Sequence, residues 1–227
     1  MTKPDHTRHA ANTTIDVVRL PGLTPYADGL AHQKRTCAAV ESGDTGDTLL
    51  LLEHTPVITL GRNAEEKNLL RSRSAFEAIG IEVLEADRGG DVTYHGPGQL
   101  VAYPIINLSY RKQSVGWYLR HLEEAIITVL KQYGLTGTRV EGMTGVWVNG
   151  AKVAAIGIGV RNWITYHGMA LNIDPNMEHF DLIVPCGIAN KPVTSLRTLL
   201  NDSTPAITDV ADAFALALHD ALADPED

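Results

Sequence analysis

Cysteine is scarce: the 227 residues contain two, Cys37 and Cys186. Two cannot build a disulfide framework, and both are expected as free thiols in a reducing compartment. Long apolar runs are missing as well. No stretch approaches the ~18 uninterrupted apolar residues of a membrane helix. The opening stretch, residues 1–14, is polar and has no apolar core of the signal-peptide kind. It is expected to be a mobile tail, ahead of a single domain at 15–227, and the protein is expected in the cytoplasm. Basic charge is short too. Nineteen Lys and Arg stand against 27 Asp and Glu, a formal net charge of −8, which argues against non-specific nucleic-acid binding. No His, Cys, Asp or Glu pairing has metal-ligand spacing, so no metal is expected. Neither a GxGxxG loop nor a Walker loop occurs, so phosphate cradling is not implied. Internal repeats and low-complexity segments are absent.

What is present is the texture of an ordinary globular chain, 44% hydrophobic and 20% charged. Strands are expected at 15–20, 48–52, 57–60 and 81–85. Helices are expected at 25–40 and 72–79, the latter ended by Gly80. The clearest helix is 114–133, whose apolar positions Val115, Leu119, Leu122, Ile126, Val129, Leu130 and Tyr133 recur near every 3.6 residues, with Ser114 as N-cap and Gly134 as C-cap. Val148 and Lys152 flank Asn149-Gly150, a strong hairpin signal, and a third strand follows at 164–173. Residues 208–222 read as an amphipathic helix capped by Thr208, with Asp209 suiting the positive helix start. Strands outnumber helices and hairpins mix with longer crossovers. The pattern is α+β, a mixed β-sheet flanked by helices, with room for a small C-terminal subdomain from about residue 188.

Four segments carry chemical interest. The first, Arg88 to Leu100, packs four glycines, a proline and a histidine into thirteen residues. Glycine density alone is equally met by turns around a strand; Arg88 and His95 beside those glycines favour a site where a ligand approaches the main chain. In the second, Lys152 opens an otherwise apolar strand. That is either an edge lysine reaching water or one held in a partly apolar pocket. In the third, small residues surround His167, which alone reads as a hydrogen-bonded structural histidine. In the fourth, Cys186 lies between Pro185 and Gly187, where a turn can bring a thiol to a pocket mouth. Cys37 has no such neighbours and reads as structural.

These blocks resemble the lipoyl(octanoyl) transferase family. RGGDVTYHGPGQLVAYP (Arg88 to Pro104) is similar to the family signature. GVWV with KVAAIG, then HGMALNI, then PCG follow in the family's order and spacing, and LLLLEHTPVITLGR extends the likeness upstream. The resemblance implies the biotin/lipoate protein ligase-like fold. It implies transfer of an octanoyl group from octanoyl-acyl carrier protein to a lysine of lipoyl domains of 2-oxo acid dehydrogenases and of the glycine-cleavage H protein. Cys186 matches the acyl-thioester cysteine and Lys152 the lysine that lowers its pKa. The acyl-binding contacts implied are Arg88, Gly89, Gly90, Asp91, Val92, Thr93, Tyr94 and His95, then Ala155, Ile156 and Gly157, then Gly168, Met169 and Ala170, with His167 as a supporting group. No cofactor is implied, and a monomer is expected.

A free thiol is only a few per cent thiolate at neutral pH. Lys152 can raise that fraction as a nearby cation or take the thiol proton as a base, and both roles stay open at this stage. Acyl carrier protein and lipoyl domains are typically acidic, so a chain of this charge needs a local basic patch. Arg62, Lys67, Arg71, Arg73, Arg111, Lys112 and Arg161 are the candidates. The alternative function is an ATP-dependent lipoate or biotin protein ligase of the same fold, against which PCG argues. A cysteine hydrolase and a non-catalytic acyl-binding module are the further readings.

Overall fold

Four consecutive leucines at 49–52 need cover on both faces, and the architecture is arranged around that need. In the computed structural model, which describes residues 14–184 and 192–223, they lie in β2 (Thr48–His54), one strand in from the edge of a seven-stranded sheet. Leu49 and Leu51 enter the main core. Leu50 and Leu52 face the other way, against Val101, Tyr103 and Ala170. Successive side chains on a strand alternate faces, so a strand covered twice reads as one apolar run.

The large sheet runs β1 (Asp16–Thr24), β2, β6 (Gln99–Ile105), β10 (Ile164–Asn172), β9 (Ala151–Arg161), β8 (Met143–Val148), β7 (Thr138–Val140). β1 and β2 are parallel, which requires a crossover, and α1 (Tyr26–Ser42) provides it. The other neighbours are antiparallel. A second sheet has β3 (Val57–Leu60) between β4 (Glu82–Glu85) and β5 (Val92–His95). α2 (Arg73–Glu77) joins its parallel pair, and Ile58, Phe76, Tyr94 and Phe180 form a core beneath it.

α3 (Val115–Gln132) and α5 (Ile207–Ala223) cover one face of the large sheet. Tyr118, Leu122, Ile126 and Val129 of α3 share the main core with Val210, Phe214 and Leu218 of α5. Ser114 caps α3, its Oγ accepting the Trp117 N–H at 3.2 Å, and Gly134 beyond the other end takes φ +73°. The hairpin turn is as expected: Asn149 and Gly150 both have positive φ, 51° and 81°, which a two-residue turn of this kind requires.

Several boundaries differ from expectation. β1 continues past Leu20 through Pro21 and Gly22, with a register shift between Arg19 and Leu23; an edge strand can accommodate proline and a bulge. α2 is shorter than 72–79 and starts after Ser72, whose side chain caps it. α5 begins at Ile207, so Thr208 sits inside the helix rather than capping it. β7 was not anticipated. The described residues beyond 188 do not have a core of their own: Leu196 of α4 (Leu196–Leu200) and Val210, Ala211 and Phe214 lie in the main core. Of the expected tail, 1–14, residues 1–13 lie outside the described residues. Among the described residues, no helix is long and apolar enough to cross a membrane.

Candidate active site

The small sheet brings β5 and the loop before it against β9 and β10, and a cavity of about 530 Å³ lies where they meet. Arg88, Gly89, Gly90, Asp91, Val92, Thr93 and His95 border it. Tyr94 does not. Strand alternation turns its ring into the second core, 1% exposed and edge-on to Phe180 at 5.3 Å. Tyr94 is therefore a packing residue, which corrects its place among the expected contacts.

Arg88 is anchored rather than free to swing. Its Nη2 donates to the Thr59 carbonyl at 2.7 Å and to Thr59 Oγ1 at 2.8 Å, and Nη1 donates to the Gly89 carbonyl at 3.1 Å. The glycines are explained by close approach of main chains. A Cβ on Gly157 would stand 2.7 Å from the Gly89 carbonyl oxygen, and one on Gly61 2.5 Å from that of Gly90. Gly89 N–H donates to the Ile158 carbonyl at 2.8 Å, tying this loop to β9. Asp91 accepts both from Asn68 Nδ2, at 2.8 and 2.9 Å, and from its neighbour's N–H, Val92, at 2.6 Å.

β9 and β10 supply the long wall. Ala155 faces Ala170, Ile156 faces Met169, Gly157 faces Gly168 and Ile158 faces His167. All of these border the cavity. Small residues keep the wall open, while Ile156, Ile158, Met169 and, from α3, Val115 and Leu119 make part of it apolar. Lys152 opens the wall at the other end. It is half-buried, with its ammonium 4.9 Å from the centre of the Trp147 ring, a cation–π distance. Gly145 makes room for it, since a Cβ there would stand 3.1 Å from Lys152 Cε.

Three histidines gather behind the wall. His95 Nδ1 lies 2.7 Å from Gln99 Oε1. His54 is held between the Thr24 carbonyl, 2.7 Å from its Nδ1, and the Tyr103 hydroxyl, 2.7 Å from its Nε2. The His54 ring packs 5.8 Å from that of His95 and 5.4 Å from Tyr26. Burial, with the nearby His54 and Arg88, pushes His95 down to about 3, and burial pushes His54 down to about 4. His167 has φ 54° and its Nε2 lies 2.7 Å from the Asp87 carboxylate. Burial lowers its pKa, against the pull of Asp87. Burial thus keeps His54 and His95 neutral near pH 7.

Cys186, with Pro185 and Gly187, lies outside the described residues. The chain on either side of 185–191 is tied down at the cavity. Val184 N–H donates to the Asn68 carbonyl at 2.8 Å, and Asn68 is the residue bonded to Asp91. On the other side, Lys152 N–H donates to the Pro192 carbonyl at 2.8 Å, Thr194 N–H donates to the Lys152 carbonyl at 2.9 Å, and Val193 borders the cavity. Cys37 is elsewhere, on α1, with Sγ 3.9 Å from the Thr165 carbonyl and its pKa pushed up to about 11 by burial and the nearby Glu41.

The expected basic patch divides. Arg111 is a buried structural cation, paired with Asp47 at 2.7 Å. Lys67 pairs with Glu65, and Arg73 with Glu66 and Glu85. Arg62 reaches the Tyr166 hydroxyl at 3.2 Å. Arg71, Lys112 and Arg161 are exposed. Sequence reasoning missed Tyr26, Gln99, Tyr103 and Asn172, all of which border the cavity. Gln99 and Asn172 stood inside the quoted blocks; Tyr26, at the start of a helix more than sixty residues upstream, carried no local signal.

A family model described as the lipoyl protein ligase A/B catalytic domain matches residues 25–219. The octanoyltransferase of Chloroflexus aurantiacus is 50% identical over 205 residues, covering 89% of this chain and 92% of that one. The octanoyltransferase of Rubrobacter xylanophilus is 47% identical over 213 residues, covering 93% and 95%. Among solved structures, a lipoate-protein ligase A bound with ATP superposes with a TM-score of 0.71 at 15% identity, covering 92% of this chain and 84% of that one. A biotin protein ligase from Aquifex aeolicus gives a TM-score of 0.55 at 13% identity, covering 91% and 70%. At such identities the likeness is one of fold.

Proposed function

The chain belongs to the lipoyl protein ligase A/B catalytic domain family, and we propose that within it the protein is an octanoyltransferase. It takes an octanoyl group from octanoyl-acyl carrier protein, carries it as a thioester on Cys186 and passes it to a lysine of lipoyl domains, including the glycine-cleavage H protein, in the cytoplasm. The observation that carries this reading is the 50% identity to an octanoyltransferase over nearly the whole of both chains. The ATP-dependent ligase reading shares the family match, but the solved ligase structures resemble this chain in fold alone.

The geometry supports the roles of Lys152 and Cys186. Cys186 follows Val184 by two residues, and two residues of chain reach at most about 7 Å. Val184 is bonded to Asn68 beside the cavity, and Val193, beyond the same segment, bridges to Lys152. Both described flanks of the segment that carries Cys186 are thus bonded to residues at or beside the cavity that Lys152 borders. There Lys152 raises the thiolate fraction, either as an ammonium or by accepting the thiol proton. The first step exchanges one thioester for another and is nearly balanced; the second converts a thioester to an amide and runs downhill, so no ATP is required. Backbone N–H groups of the glycine-rich segments are the donors for the oxyanion.

The apolar wall of Ile156, Ile158, Met169, Val115 and Leu119 suits the acyl chain. Burying seven apolar carbons at ~0.8 kcal/mol each gives roughly 5–6 kcal/mol as an upper value. Intact mass after incubation with octanoyl-acyl carrier protein, without ATP, tests the reading. One octanoyl group is expected, released by hydroxylamine and absent in Cys186→Ala. An adduct that persists in Cys186→Ala, or one that forms only with ATP, would sink it.

A further inference from the structure

Backbone carbonyls fix the direction of every hydrogen bond in a chain from Thr194 to His95. Asn172 Nδ2 lies 3.0 Å from the Thr194 carbonyl. A carbonyl only accepts, so this atom is the amide nitrogen, and Asn172 Oδ1 accepts from Gln99 Nε2 at 2.9 Å. Gln99 Nε2 also donates to the Tyr94 carbonyl at 3.1 Å. That leaves Gln99 Oε1 facing His95 Nδ1 at 2.7 Å. An amide oxygen cannot donate, so Nδ1 carries the proton.

His95 sits among groups that disfavour a second proton: its site is buried, and Arg88 and His54 lie close by. A neutral imidazole protonated on Nδ1 has a bare lone pair on Nε2. His95 borders the cavity, and no described residue donates to Nε2. Its ring lies 5.8 Å from that of His54, and the relay runs from it through Gln99 and Asn172 to Thr194. Thr194, at the other end of the relay, donates its N–H to the Lys152 carbonyl.

A bare lone pair cannot donate to an oxyanion, so His95 is excluded from the oxyanion hole. It can accept. Of the groups the proposed reaction brings to the cavity, a thiol is a weak donor, whereas a primary amine leaving water has N–H groups that must find acceptors.

We propose that His95 is a positioning residue for the attacking amine: its Nε2 accepts one N–H of the acceptor-protein lysine and so aims the nitrogen lone pair at the thioester carbonyl. The proposal rests on the acyl-transfer reading and specifies its second step. The N–C bond forms and the C–S bond breaks. The proton lost by the nitrogen ends on the departing Cys186 sulfur, directly or through Lys152. His95 gains and loses none.

The test starts from octanoyl-enzyme formed with octanoyl-acyl carrier protein and follows single-turnover transfer to a lipoyl domain. His95→Leu removes the acceptor, and His95→Gln returns an oxygen near the place of Nε2. A fall of about tenfold or more is expected for His95→Leu, the size of one lost hydrogen bond, with partial recovery in His95→Gln. Nitrogen-15 NMR of the wild-type protein, between about pH 6 and 8, is expected to show a protonated Nδ1 and a bare Nε2 at His95. A protonated Nε2 overturns the proposal even if His95→Leu fails to fold, and so does His95→Leu transferring at the wild-type rate. If the wild-type protein takes up no octanoyl thioester, the acyl-transfer reading itself falls; if it does and His95→Leu is unimpaired, the role of His95 alone falls.

Discussion

The N–H of Lys152 donates to the carbonyl of Pro192 over 2.8 Å, and 40 residues of chain separate the two. Thr194 returns the bond to the Lys152 carbonyl, so the lysine's own backbone holds the chain that emerges from 185–191. The pairing is made by main-chain atoms alone, so a change in the lysine side chain leaves it intact.

Replacement of Lys152 therefore reports on chemistry more than on folding. Lys152→Ala is expected to slow acylation by about 10²-fold at neutral pH. If the lysine acts as a cation, the rate recovers as pH rises past the ordinary thiol range near ~8.5, and Lys152→Arg, which keeps charge but cannot accept a proton, retains most activity. If it acts as a base, neither recovery occurs. Single-turnover acylation against pH separates the two, and a Lys152→Ala protein as fast as wild type at all pH values would remove the lysine from the mechanism.

Much of this site was legible in the sequence because its parts are continuous. Lys152, the loop Arg88–His95 and the wall Gly168–Ala170 each lie in a short block whose order and spacing are distinctive. Tyr94 was misplaced because a block does not say which face a side chain takes; β5 alternates, and Tyr94 falls on the core side of it. Arg111 was misread for a similar reason: its partner Asp47 is 64 residues away, and burial of that pair is a tertiary fact. The four leucines at 49–52 announced a buried strand, but nothing local showed that 57–60, 82–85 and 92–95 would form a sheet of their own.

Glycines provide a paired prediction. Gly157→Ala places a methyl group 2.7 Å from the Gly89 carbonyl oxygen and 3.2 Å from Arg88 Cδ. The loop must retreat from β9, at an expected cost of about 1–3 kcal/mol and a loss of octanoyl-enzyme yield. Gly116, in the first turn of α3, has its nearest neighbour at 4.0 Å. Gly116→Ala is expected to stabilise by about 0.5 kcal/mol through helix propensity. Urea unfolding of both variants checks the pair, and equal destabilisation would contradict the close-approach argument.

Stability should fall on acidification well before the carboxylates titrate. His54 is held near 4 and His95 near 3 by burial, below the unfolded value of 6.5. Between those values the unfolded chain binds more protons than the folded one, so stability rises with pH there. The contribution is fully present above about pH 6.5 and is lost as pH falls toward 4. For His54 alone this amounts to about 3 kcal/mol. Urea unfolding from pH 7 to 4.5 measures it, and His54→Gln should flatten the slope. An unchanged slope in that variant would show that His54 is not buried neutral.

Charge reversal at the cations should divide by burial rather than by sign. Arg111 and Asp47 are 4% and 8% exposed in their side chains. Burial pushes the Asp47 carboxyl up, while the Asn107 N–H and Arg111 pull it back. Removing the cation strands a buried carboxylate, a loss of about 3–5 kcal/mol. Arg111→Glu is thus expected to act through stability, with little folded protein at 37 °C. Arg71, Lys112 and Arg161 are exposed and affect folding little. If they face acidic partner proteins, reversing them lowers kcat/KM for octanoyl-acyl carrier protein and flattens its dependence on salt, because the steering they provide is screened within about 10 Å at 0.1 M. Transfer rates measured from low to moderate ionic strength decide this. Reversed variants with the wild-type salt slope would place the docking face elsewhere on the molecule.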